Sequence, residues 1–144
     1  MIVHSLNFGS KTALRCGYLS GVYNFPSHIH QFPEIVICLE GSMDVTVEGV
    51  TETMRAGDMA VIAPFRVHSF NTPEYVNRWL AVFSPDFLSG LLTEEEIYGE
   101  GERFVFTPSP QLSEFVRAHL SDSNENFFEM TAADVRSFKV LCIA

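Results

Sequence analysis

Three imidazoles and one carboxylate are the side chains in this sequence whose types and spacing could do chemistry. His28 and His30 lie two residues apart, Glu34 follows at even spacing, and His68 stands in a later segment. Side chains two apart along a strand share a face, so His28 and His30 project together, and Glu34 keeps the same parity if the chain stays extended past Pro33. Closing a small barrel brings a distant strand opposite that wall, which is how His68 would add a fourth ligand. Such a donor set suits divalent Fe, Mn, Ni, Zn or Cu, and spacing alone does not choose among them. The same four groups also read as a metal-free, hydrogen-bonded pocket wall gripping a hydroxylated or carboxylated effector, in which case no cofactor is required.

The elements that must position these groups are strands. Over residues 14–83, short β-branched or aromatic stretches are punctuated by glycine and proline every eight to twelve residues, the signature of a sandwich or barrel. Asp44-Val45-Thr46-Val47, then Glu48-Gly49, then Val50-Thr51-Glu52-Thr53 reads as a hairpin whose Gly49 can take the positive φ of a two-residue turn. The runs 34–39 and 59–63 are almost wholly apolar, so those strands should be covered on both faces.

After residue 83 the pattern turns helical. Ser84-Pro85-Asp86 supplies a cap, a first-turn proline and an early acid, predicting a short helix at about 85–98. A strand is expected at 103–106. Ser109-Pro110 then repeats the start signal ahead of Leu112, Phe115, Val116 and Leu120, and Thr131 with Asp134 opens a third helix through Val135, Phe138, Leu141 and Cys142. Phe127 and Phe128 read as helix packing or subunit contact. The division expected is a barrel with an N-terminal arm over 1–107 and a helical dimerisation segment over 108–144. The last helix carries no stop signal before Ala144, which reads as a longer chain cut short.

Composition bounds the functional classes. The 144 residues are 47% hydrophobic with 13 Phe, enough for one folded domain. Three cysteines without C-x-x-C spacing argue against a disulfide framework or thiolate zinc site and fit a cytoplasmic protein, and no signal peptide or membrane span is read. Eighteen acidic against nine basic side chains give a formal charge of −9, so the chain should be repelled by phosphate backbones and is a poor nucleic-acid binder alone. Arg78 and Trp79, the single tryptophan, are adjacent on an expected strand, so one should face the barrel interior and the other away. With Arg15 and Tyr18 on the first strands, they complete the candidate ligand contacts; Tyr23 is a further candidate.

The order Gly21, His28, His30, Glu34, Gly41, then Gly57, Pro64, His68 and Asn71 resembles the two-part motif of the cupin superfamily, with His68 four residues after Pro64 instead of the usual five. The resemblance implies a jelly-roll-like, double-sheeted β-barrel with a pocket between the motif halves. A finer resemblance is to the sensor domain of AraC-type transcription regulators. It rests on His30-Gln31-Phe32-Pro33-Glu34-Ile35, Leu39-Glu40-Gly41, Arg55-Ala56-Gly57-Asp58, Ile62-Ala63-Pro64 with His68-Ser69-Phe70, and Leu80-Ala81-Val82-Phe83-Ser84-Pro85-Asp86-Phe87-Leu88. It implies a barrel that binds a small effector such as a sugar or other metabolite, helices that form a homodimer, and a C-terminal helix-turn-helix unit, absent before Ala144, that contacts DNA. The expectation is therefore a sensor and not an enzyme. The alternative is a small metal-dependent cupin enzyme, a dioxygenase or sugar isomerase, holding its metal on the same four residues.

Overall fold

The computed structural model describes residues 2–3, 14–83, 104–114 and 128–129. Their strands, in chain order, are β1 (Ile2–Val3), β2 (Leu14–Gly21), β3 (Asn24–Ile29), β4 (Glu34–Glu40), β5 (Ser42–Val47), β6 (Val50–Arg55), β7 (Met59–Ile62), β8 (His68–Asn71), β9 (Val76–Phe83), β10 (Val105–Phe106) and β11 (Phe128–Glu129). They form two sheets, ordered β1-β3-β8-β5-β6 and β10-β7-β4-β9-β2-β11. All pairings are antiparallel except β1 with β3.

Alternation along the strands builds the core between the sheets. Val36 and Cys38 of β4, Met43, Val45 and Val47 of β5, Met54 of β6, Ala60 and Ile62 of β7, and Phe70 of β8 join Val76 and Val105 in one buried cluster. Strand β4 is closed on its other face too: Ile35 and Ile37, of opposite parity to Val36 and Cys38, are also buried, as the unbroken apolar run foretold. The β5–β6 hairpin turns through Glu48 (φ 48°) and Gly49 (φ 81°), the paired left-handed conformation of a type I′ turn.

Of the expected helices in the tail, the one signalled by Ser109-Pro110 begins within the described residues. A helical turn at 110–114 begins where Ser109 caps it: the Leu112 amide donates to Ser109 Oγ at 3.2 Å and the Ser113 amide to the Ser109 carbonyl at 2.9 Å. The helices expected at 85–98 and from Thr131 onward lie outside the described residues. Phe128, read as helix packing, instead stands in β11, opposite Cys16 of β2, because an aromatic residue at an open sheet edge is also a good strand former. Among the described residues, no helix is long and apolar enough to cross a membrane.

Candidate metal and ligand site

One irregularity decides which way the first histidine points. Strand β3 pairs with β8 through Phe25↔Phe70 and His28↔His68, so two residues, Pro26 and Ser27, oppose the single Ser69. This is a β-bulge, and Pro26 suits it because proline has no amide hydrogen to lose from the ladder. The extra residue restores parity: Phe25 packs against the core, and His28, three positions on, also turns inward. His30 follows beyond the strand end, Glu34 opens β4, and His68 opens β8.

All four side chains are buried, and one ligand atom from each falls within a 4.8 Å cluster. His30 Nε2 and His68 Nε2 each stand 3.1 Å from the same oxygen, Glu34 Oε2. On the far side of the rings, His68 Nδ1 donates to the Arg66 carbonyl at 2.8 Å and His28 Nδ1 donates to the Pro26 carbonyl at 3.0 Å. A carbonyl can only accept, so both Nδ1 atoms carry hydrogen. In neutral His28 the inward Nε2 is therefore a bare lone pair.

The electrostatics follow from that arrangement. Burial, reinforced by neighbouring His68, pushes His28 down to about 4, so it is neutral at pH 7. Burial alone would raise Glu34, but hydrogen bonds from His30 and His68 prevail and hold it at about 2. For His68, burial works downward, yet the hydrogen bond and charge of Glu34 and the Arg66 carbonyl raise it above 6.5. A proton on His68 Nε2 thus bridges to a shared carboxylate oxygen.

The same place suits a divalent cation. Donors about 2.1 Å from an ion lie about 3.0 Å apart at right angles and about 4.2 Å apart across it, close to the 3.1 Å contacts and the 4.8 Å span. The outward hydrogen bonds of His28 and His68 fix the tautomer that a metal needs. His28, His30, Glu34 and His68 could therefore hold a borderline divalent metal, such as Zn, Ni, Mn or Fe, which would supply a Lewis acid and an anchor for ligand oxygens.

The shortened spacing between Pro64 and His68 is absorbed by the backbone. Phe65 takes φ 61°, a left-handed conformation uncommon outside glycine, while its amide donates to the His30 carbonyl at 2.9 Å. Glu48 fastens the loop from the other side: its Oε1 accepts from the Val67 amide and its own amide donates to the Val67 carbonyl, both at 2.8 Å. His68 consequently arrives opposite His28 with ring centroids 4.0 Å apart.

The remaining candidates divide by parity. Arg78 pairs with Cys38 and shares the inward face of β9 with Val76 and Leu80. Its guanidinium carbon lies 4.1 Å from the centre of the Tyr23 ring. Trp79 pairs with Ile37 on the opposite face and is fully buried there, so the structure does not bring it to the four donors. Arg15 and Tyr18 pair with Val82 and Trp79 in register; their side chains lie outside the described residues. Sequence reasoning missed the bulge, although a proline inside a strand was its signal. It also missed Thr72, which is buried, accepts from the Tyr23 amide and donates its hydroxyl to the Tyr23 carbonyl at 2.8 Å.

Comparison with known proteins agrees with this architecture. The family model described as "Cupin domain" matches residues 16–83. Among solved structures, AerE from Microcystis aeruginosa aligns over 67% of this chain and 42% of its own at 19% identity, with a TM-score of 0.50. The EutQ protein of Clostridium difficile aligns over 51% and 58% at 20% identity and a TM-score of 0.44. Protein NMB1881 from Neisseria meningitidis aligns over 52% and 78% at 21% identity and 0.46. At 19% identity the likeness to AerE speaks for fold alone, and the two with TM-scores below 0.5 carry no argument. Comparison with curated proteins returns no match.

Proposed function

We propose, on the premise that residues 16–83 are a cupin domain, that the barrel is the small-molecule sensor of an AraC-type transcription regulator. It works in the cytoplasm as a homodimer and reaches DNA through a separate helix-turn-helix unit. Effector binding shifts the balance between two arrangements of the dimer, a coupling typically worth about 1–3 kcal/mol.

The observation that carries the reading is what accompanies the four donors. Tyr23 and Arg78 are within electrostatic reach of Glu34. Burial, against the pull of Arg78, raises the Tyr23 phenol above its ordinary range, and a guanidinium keeps its proton in proteins. Neither is suited to exchange a proton near neutral pH, so this part of the interior is furnished to hold a ligand. The resemblance of the motif order through residues 30–88 supports the regulator in particular, and the net charge of −9 agrees with DNA contact being made elsewhere.

The test is to cross-link the native gene product to DNA in its own cells and sequence what is recovered. Enrichment at discrete promoters is expected, changing on effector addition. Uniform background recovery would overturn the regulator, and metal-dependent turnover of a sugar or an oxygenase substrate would put the enzyme in its place.

A further inference from the structure

The interior holds a cation that the protein itself leaves incompletely matched. Arg78 is 2% exposed, and its Nε has no hydrogen-bond partner among the described residues. Among the described residues, the buried ion pairs are those of Glu34 with His30 and His68, and Arg78 is in neither. This stands out in a chain with twice as many acidic as basic side chains. A buried guanidinium cannot escape its desolvation by losing a proton, so it calls for a partner.

The compensation present is partial. The face of Tyr23 lies under the guanidinium at 4.1 Å, a favourable contact that supplies no hydrogen-bond acceptor to Nε. Thr72 holds the Tyr23 backbone in place through its hydroxyl. The charge of Glu34 reaches both Tyr23 and Arg78, but its Oε2 is already engaged by two imidazoles. A divalent cation on the four donors would consume that carboxylate and leave an excess of positive charge inside the barrel.

Arg78 and Glu34 face the same interior at two levels of one sheet. Glu34 lies opposite Val82 and Cys38 opposite Arg78, four residues further along, or about 13 Å of strand at about 3.3 Å per residue. A guanidinium stacked on a ring presents Nε and one Nη side by side, a fork that fits the two coplanar oxygens of a carboxylate.

We propose that the barrel ligand is a small organic acid whose carboxylate pairs with Arg78 above Tyr23 while its other end points toward His28, His30, Glu34 and His68. The assignment rests on the barrel being a ligand-binding site and deepens that reading by naming the ligand's chemical class.

The probes are succinate, its uncharged counterpart succinamide, and inorganic phosphate. Each is titrated calorimetrically into the intact protein, with metal content measured before and after. Succinate should bind and raise Tm, with succinamide and phosphate at least about tenfold weaker. Arg78→Met should weaken succinate at least about tenfold with metal content unchanged. Equal binding of succinate and succinamide overturns the proposal, as does phosphate matching succinate or the absence of binding by all three. Because the three-probe comparison uses the unaltered protein, it decides the matter even if Arg78→Met fails to fold. Promoter enrichment alongside indifference to succinate would remove the organic acid alone; a succinate response without enrichment would remove the regulator alone.

Discussion

Glu34→Gln in the metal-stripped protein tests whether one oxygen organises the site. The carboxyl group is completely buried, and its ordinary value of 4.5 falls to about 2. At 1.36 kcal/mol per pH unit, that gap corresponds to about 3 kcal/mol of folding stability. Because the folded-state value is the lower one, this stability is fully present above pH 4.5 and lost as pH falls through about 2. His68 has the opposite sign: raised above 6.5, its share is complete below 6.5 and fades as pH climbs through the raised value. The pair therefore stabilises the protein most between these limits, near pH 5 to 6. Urea unfolding between pH 2 and 8, followed by the fluorescence of the single tryptophan, is the assay. The wild type should show an acid limb of about 3 kcal/mol and a shallower decline on the alkaline side. Glu34→Gln should lower the plateau and remove most of the acid limb. A variant with the wild-type acid limb would refute the assignment of that stability to Glu34.

Three further outcomes are expected. Phe65→Gly should be more stable than Phe65→Val by about 1–2 kcal/mol in denaturant titration, since φ 61° is open to glycine and hostile to a β-branched residue; equal stabilities would mean the loop relaxes. Gly41→Ala should cost at least about 2 kcal/mol, because Gly41 has φ 80° and an added Cβ would strike the Tyr75 carbonyl oxygen; an unchanged Tm would show that the 73–75 loop yields. Cys38, pushed up to about 11 mainly by burial, should resist iodoacetamide at pH 8 until denaturant is added, as read by mass spectrometry, because only about one thiol in a thousand is then ionised. Rapid labelling of the native protein would contradict its buried place in the core.

The sequence revealed most where periodicity and donor chemistry agreed. The stretches 44–47 and 50–53 about the Glu48-Gly49 pair foretold the hairpin, and the apolar run at 34–39 foretold a strand buried on both faces. His28, His30 and Glu34 could be grouped by counting, and His68 by the need of a closed sheet. What counting could not supply was the compensation around them. The Pro26–Ser27 bulge and the left-handed Phe65 are choices of backbone conformation forced by tertiary fit. Arg78 and Trp79 could be set on opposite faces without choosing which faced inward, and Arg78 could not be matched to Tyr23, because a contact between β9 and the β2–β3 turn depends on how the sheets close. The helical tail was read from caps and stripes, and there β11 shows that an aromatic residue such as Phe128 also serves in a strand.

The surplus residue between Phe25 and His28 acts on the gene as a framing device. Deleting either Pro26 or Ser27 would let β3 and β8 pair without interruption, and Phe25 and His28 could then no longer both face inward. A lineage could in that way keep the barrel and break up the four-donor cluster in one codon-sized step. Members with an unbroken β3 should then lack the histidine pair or carry it on the outside, so the length of this one strand, more than the identity of any single residue, sorts members with four inward donors from those without.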